Sequence, residues 1–147
     1  MKMSKQEYAD YIKRKMPPSP LWRDVLLAFL IGGLICCVGQ ALLSLYLALG
    51  AVEEDASAWT CVSMIFLGAL FTGLGLYGRL AKFAGAGTLV PITGFANSVV
   101  SPALEFKTEG LVTGLPAKIF SIAGPVIVYG VGASVVYGII YWLMQIL

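Results

Sequence analysis

VLLAFLIGGLICCVGQALLSLYLALGAV, from Val25 to Val52, contains no charged residue. As a helix rising ~1.5 Å per residue it would reach roughly 42 Å, whereas the hydrocarbon core of a bilayer is about 30 Å thick. The stretch therefore reads as a membrane helix with length left over for tilt. It is too long for the apolar core of a signal peptide, which is about 7–15 residues. Ala28, Gly32 and Cys36 recur in it at i, i+4, a ladder of small side chains suited to close helix contact. Gln40 is its one strongly polar side chain, better placed for a helix-to-helix hydrogen bond than for holding a solute.

The remainder of the chain agrees with this start. Of 147 residues, 59% are hydrophobic and 12% charged, against roughly 25% charged in a soluble domain. The missing polar surface implies lipid or protein neighbours. The predicted class is an all-α polytopic membrane protein of three to five helices. It divides into a polar arm over 1–24 and a single membrane domain over 25–147.

In the arm, Ser4 and Glu7 have the spacing of a capping box. Tyr8, Tyr11, Ile12 and Met16 then recur at helical spacing until Pro17, Pro18 and Pro20 stop the helix. Two readings stay open: an amphipathic helix at the membrane surface, or a solvated or disordered arm. Beyond the first span, Glu53, Glu54 and Asp55 form an acidic hinge. A second uncharged span runs from Ala56 to Gly78, with Trp59 and Tyr77 near its ends. Arg79 and Lys82 follow it. A last span covers 124–147, with Pro125 suited to its first turn and Gly130, Ser134 and Gly138 forming a second small ladder for helix packing. Segments 83–104 and 110–125 are both broken by Gly and Pro and hint at a weak internal repeat.

The segment 83–104, FAGAGTLVPITGFANSVVSPAL, is long enough to span but carries Gly85, Gly87, Pro91, Gly94 and Pro102. It also carries Thr88, Thr93, Asn97, Ser98 and Ser101. Irregular backbone survives at membrane depth only inside protein or beside a water-filled cavity. The expectation is a broken or re-entrant helix. Its hydroxyls and amide either line a path for a solute or serve only to satisfy the interrupted backbone.

Several function classes are excluded or weakened. There is no histidine, which removes His-based metal sites and His-based acid–base catalysis. No metal site or cofactor is expected. Cys36, Cys37 and Cys61 lie in apolar runs and read as small buried packing residues. Gly85-Ala86-Gly87 lacks the third glycine and the preceding strand of a dinucleotide fingerprint. Glu105 and Glu109 flank Lys107 and precede Gly110, which favours a solvated turn over a carboxylate pair. Nucleic-acid binding is an unsuitable use for so short a basic arm.

Phe83-Ala84-Gly85-Ala86-Gly87, Val90-Pro91-Ile92-Thr93-Gly94-Phe95-Ala96-Asn97-Ser98, Glu105-Phe106-Lys107 and Glu109-Gly110 together resemble the core of the stage V sporulation protein AC/AE family. The basic arm, residues 28–36, Gly39-Gln40 and Ala123-Gly124-Pro125 extend that resemblance over most of the chain and fit the AC branch. The resemblance implies a multi-pass protein of the inner membrane of the forespore and spore. It also implies a subunit of the complex that carries dipicolinic acid, with calcium, into the spore and releases it at germination. The partners so implied are a sister membrane subunit and a soluble subunit, in a homo- or hetero-oligomer.

A path for this planar dianion needs hydrogen-bond donors and positive potential without a tight trap. Thr88, Thr93, Asn97, Ser98 and Ser101 would supply the donors. Arg79, Lys82 and Lys107, with Lys118, would supply the field at its mouths. A membrane scaffold that anchors a soluble partner through the arm is the competing reading. A small membrane enzyme is disfavoured, because no span holds a clustered acid pair.

Basic residues at the N-terminus and at Arg79–Lys82, with acid between, place both basic regions on the cytoplasmic side and Glu53–Asp55 on the other. A cysteine at Glu54 should react with an impermeant reagent applied from outside, and one at Leu80 should not. The reverse pattern would overturn this orientation.

Overall fold

The computed structural model describes residues 5–15, 20–112 and 114–146. Helices α1 (Lys5–Lys15), α2 (Leu21–Ala48), α3 (Glu53–Gly73), α4 (Leu76–Ala84), α5 (Ala86–Leu89), α6 (Ile92–Glu105) and α7 (Leu115–Ile146) follow one another, with a short 3-10 turn at Lys107–Glu109. Three of them, α2, α3 and α7, are long and apolar enough to cross a membrane. The chain is an all-α membrane protein, as its composition requires.

The long helices begin and end for local reasons. Helix α2 starts directly after Pro20, with Asp24 in its first turn, a favourable place for negative charge beside the positive end of the helix dipole. It therefore opens a turn before Val25 and closes at Ala48 rather than running to Val52. The same dipole recruits Glu53, Glu54 and Asp55 into the first turn of α3, so these acids begin the helix instead of hinging it. Helix α3 ends at Gly73, and the expected span to Gly78 is divided between α3 and α4.

Two side-by-side pairs set the directions. Tyr46 and Ser63 meet hydroxyl to hydroxyl at 2.6 Å, the Tyr46 and Trp59 ring centroids stand 6.3 Å apart, and Gly39 faces Met64. Helices α2 and α3 are thus antiparallel. Helix α4 then carries the chain back to where α2 starts, since Lys82, Phe83 and Gly85 border the same hollow as Leu21, Asp24 and Val25. Gly85, at φ +49°, reverses the chain in a conformation that a side chain would strain.

From there α5 runs alongside α2, with Ala86, Gly87, Val90 and Pro91 bordering a groove with Ala28, Gly32, Gly33 and Cys36. Helix α6 runs alongside α3, with Thr93 against Gly68 and Asn97 bonded to Thr72. Because α2 and α3 are antiparallel, α5 and α6 are too. The segment is a hairpin with its tip at Val90–Pro91, entering and leaving at the end of the bundle where α2 begins. It turns back instead of crossing.

Two glycines make this hairpin possible. A Cβ on Gly87 would collide with the Ala28 backbone, so α5 lies directly on the Ala28–Gly32 ridge of α2. A Cβ on Gly68 would lie 2.9 Å from the Thr93 Cα, which sets how closely α6 approaches α3. The small ladder Ala28–Gly32 thus does make a close contact, and its partner is the broken helix.

Several expectations need correction. Pro125 does not open a new helix. It lies within the unbroken α7, and Pro116 occupies the first turn in its stead. An apolar surrounding favours an uninterrupted helix, and membrane helices tolerate internal proline for that reason. Among the described residues the suggested repeat between 83–104 and 110–125 does not appear, since the first forms a hairpin and the second opens the continuous helix α7. Cys36, Cys37 and Cys61 are exposed on the chain surface rather than buried; α2 buries none of its residues against its own chain, and Cys61 lies on an outward face of α3. Gln40 is exposed as well and bonds to no helix of its own chain among the described residues. In the arm, α1 confirms a helix with Tyr8 and Tyr11 exposed. Ser4, Met16, Pro17 and Pro18 lie outside the described residues.

Replacing Gly87 or Gly68 with leucine should destabilise the fold, because the new side chain meets backbone that cannot yield. Overpacking of this kind costs about 1–3 kcal/mol or more. Gly33→Leu should be near neutral, since nothing lies within 4 Å of its Cβ position. Unfolding midpoints in a denaturing-detergent titration, read by circular dichroism, would rank the three variants.

Candidate functional site

The buried polar groups of the chain gather where α3, α4 and the hairpin meet. Thr72, Thr88 and Thr93 are its buried polar residues among those described. Tyr77, 4% exposed, joins them from α4. The Tyr77 hydroxyl is 2.7 Å from the Thr88 carbonyl and 2.9 Å from Thr93 Oγ1. It has one proton. Given to the carbonyl, that proton satisfies backbone freed by the break at Val90–Pro91, and the Thr93 hydroxyl then donates to the tyrosine oxygen. Thr88 donates its own hydroxyl to the Gly85 carbonyl at 3.0 Å, closing the other interruption.

A second cluster sits one turn further along α6. Thr72 Oγ1 is 2.6 Å from the Gly68 carbonyl and 3.0 Å from the Asn97 amide oxygen. With one proton it can serve only one of the two. If the carbonyl takes it, rotating the carboxamide by half a turn lets the Asn97 N–H donate to Thr72 instead. Ser98 donates to the Phe95 carbonyl at 2.7 Å within its own helix. No buried side-chain oxygen or nitrogen among the described residues lacks a hydrogen-bond partner.

The expected site residues therefore divide. Thr88 and Thr93 are committed to the interrupted backbone and its tyrosine. Asn97 is half-buried and Ser101 is exposed. Thr93, Asn97 and Ser101 recur at i, i+4 and i+8 on one face of α6, so a polar seam runs from the buried tip toward the open end of the hairpin. Arg79, Lys82 and Lys107 are all exposed, in the half of the bundle where α2 begins. Lys118 stands over the Phe106 ring at 4.6 Å to its centroid, where it ties the start of α7 to the end of α6. From Arg23 onward, all lysines and arginines lie in that same half, opposite Glu53, Glu54 and Asp55.

Tyr77 was absent from the expected set. Its position near the end of an apolar run marked it as an interface aromatic, and only the turn at Leu74–Gly75 brings it inward. Thr72 was missed because a threonine in a glycine-rich span has no distinguishing spacing. Gly130, Ser134 and Gly138 are exposed, and Ser134 donates to the Gly130 carbonyl at 2.9 Å within its own helix. From Pro125 to Ile146 every residue of α7 is exposed, so this ladder faces no helix of its own chain. No group of three or more His, Cys, Asp or Glu able to hold a metal occurs among the described residues.

Comparison with known proteins places this sequence in a family. The sequence model of the family described as SpoVAC/SpoVAEB sporulation membrane protein matches residues 24–140. The chain is 45% identical over 137 residues to the stage V sporulation protein AC of Bacillus subtilis (strain 168), which covers 92% of this chain and 91% of that protein. No solved structure matches the chain.

Tyr77→Phe removes the proton donor for the Thr88 carbonyl while keeping the ring. It should cost about 1–3 kcal/mol, the penalty for a buried polar group left unpaired. Amide hydrogen exchange across residues 86–97 should quicken. Unchanged exchange would show that the tyrosine does not hold the hairpin.

Proposed function

This chain belongs to the SpoVAC/SpoVAEB family of sporulation membrane proteins, and on that footing we propose that it is a membrane subunit of a channel complex moving dipicolinic acid, with calcium, across the inner membrane of the spore. The observation that carries this reading is the graded seam on α6. Thr93 is buried, Asn97 half-buried and Ser101 exposed on one face of a re-entrant helix. Re-entrant backbone is tolerated at membrane depth where it is buried in protein or lines a cavity. The seam supplies neutral donors and acceptors, which hold a dianion weakly enough to release it. Arg79, Lys82 and Lys107, on the side where the hairpin opens, raise the local concentration of anions.

With three helices long enough to cross a membrane among its described residues, one chain is small for a complete conduit. The outer half of α7, with Gly130, Ser134 and Gly138, is a surface on which a second copy or a sister membrane subunit packs in this proposal. Gln40, exposed within an apolar helix, belongs to such a contact for the same reason, since a carboxamide facing hydrocarbon alone is costly. A soluble subunit would dock on the cytoplasmic side. The scaffold reading draws support from α1, whose exposed Tyr8 and Tyr11 offer a docking element. Solute flux separates the two, because a scaffold alone conducts nothing.

Asn97→Leu is the decisive variant. Thr72 keeps the Gly68 carbonyl as its partner, so the fold loses little, whereas the seam loses its central polar group. Spores carrying it should assemble the complex but accumulate several-fold less dipicolinate. Asn97→Ser should be milder. Single cysteines, in a background lacking Cys36, Cys37 and Cys61, should react with a water-soluble reagent fastest at position 101, more slowly at 97 and slowest at 93. Normal accumulation by Asn97→Leu, with all three cysteines inert, would mean that the hairpin is packing and not path.

A further inference from the structure

A cavity of about 510 Å³ touches the seam only at its buried end, Thr93. It lies between α2, α3 and α4, and its walls are apolar: Ile35, Val38, Met64, Leu67, Phe71 and Leu80 among them. The two hydroxyl residues on its wall, Tyr77 and Thr93, are bonded to each other. One charged residue borders it, Arg79. Helix α4 is Leu76-Tyr77-Gly78-Arg79-Leu80-Ala81-Lys82-Phe83-Ala84, with two cations and no acid. Lys82 shares the neighbouring hollow with Asp24, but no carboxylate borders the cavity of Arg79. Among the described residues, Arg79 has no hydrogen bond or ion pair.

The occupant has to satisfy both features. An apolar cavity opening beside an exposed, unpaired guanidinium matches a molecule with a hydrocarbon body and an anionic end. A dicarboxylate solute gains little from apolar walls whose two hydroxyls are already bonded to each other. A partner helix, about 10–12 Å across with its side chains, is too thick for a cavity of this volume, whereas an extended acyl chain is slender. Arg79 lies in the half of the bundle that carries all the basic residues from Arg23 onward, where the anionic headgroups of the cytoplasmic leaflet would meet it. A guanidinium grips a phosphate diester through paired N–H donors.

We propose that the cavity beneath α4 holds one acyl chain of an anionic phospholipid, with its phosphate on Arg79. The lipid fills the space that α4 leaves when it parts from α3 at Leu74–Gly75, and it braces the helix that carries Tyr77. This goes beyond the channel reading and does not depend on it, because it concerns retention of a lipid and not passage of a solute.

The test uses the full chain, purified in detergent, with phosphatidylglycerol or phosphatidylcholine added in equal amounts. Native mass spectrometry counts the lipids retained. One phosphatidylglycerol per chain should survive conditions that strip phosphatidylcholine. Arg79→Gln should lower that retention about fivefold, the contribution of one basic residue near an anionic headgroup, and Arg79→Lys should restore part of it. Lys15→Gln, on α1, should leave retention as in the parent chain. Leu80→Trp fills the cavity and should reduce retention of both lipids. Circular dichroism verifies its helix content, and the Arg79 pair decides the matter alone if Leu80→Trp misfolds. Excess glycerol phosphate should not displace the lipid.

Four results would overturn the proposal. The parent chain would retain both lipids equally, Arg79→Gln would retain phosphatidylglycerol as the parent does, or glycerol phosphate would compete, which would make the ligand a soluble anion. Loss of self-association by Leu80→Trp with lipid retention intact would equally reject it, in favour of a second copy seated there.

Discussion

The hydroxyl of Tyr77, 2.7 Å from the carbonyl of Thr88, sits where the helical ladder is interrupted. A carbonyl without a partner in a surrounding free of water costs several kcal/mol. A chain that breaks its helix there must supply the missing donor itself. Tyr77 does so from another helix, Thr88 does so for Gly85, and the glycines at 87 and 68 bring α2 and α3 close enough to shield the site. Removal of that donor would leave the Thr88 carbonyl unpaired and weaken the turn, which Pro91 and the contacts of Gly87 and Gly68 would still favour. The short helix α4 matters mainly because it places this one oxygen.

Much of this was legible before any coordinates. The absence of charge from Val25 to Val52 is enough for a membrane helix, because length and polarity alone decide the matter. The crowding of Gly, Pro and hydroxyls over 83–104 is enough for a broken one, because a straight lipid-facing helix has no use for them. Whether that segment crosses or returns was not legible. The answer depends on which helix each half lies against, and only the contacts of Gly87 with Ala28 and of Gly68 with Thr93 supply it. Helix limits moved by a turn wherever an acid joined a first turn, as at Asp24 and Glu53. Pro125 misled because proline is lawful both at a helix start and within a membrane helix, and the spacing of its neighbours does not separate the two.

The candidate site was legible in its residue types and not in its roles. Thr88, Thr93, Asn97, Ser98 and Ser101 were singled out together because each can donate a hydrogen bond. In the fold they fall into two groups, one that serves the backbone and one that grades outward along α6. Residue type cannot separate those groups, because a threonine hydroxyl bonded to a carbonyl and one facing water are the same group in the sequence. Tyr77 and Thr72 entered from helices whose patterning marked them as ordinary. The cations fared better, since their clustering in one half of the bundle follows directly from their order along the chain.

The shortness of α5 and α6 has a consequence for how the protein is made. A segment of about 20 apolar residues is what partitions into a bilayer as a unit, and α6 has 14 residues while α5 has 4. Neither enters the membrane on its own merits. Helices α2 and α3 emerge before the broken segment during synthesis and are placed to pair as an antiparallel hairpin through contacts close in sequence. Their ridge at Ala28–Gly32 and their groove at Gly68 then stand ready as a finished wall. The broken segment can bury its interrupted backbone only by docking on that wall, and α7, which follows it in the chain, closes over α6 from the other side. Biogenesis is thus ordered by the fold itself: two inserted helices first, a docked hairpin second, and a final span that seals it.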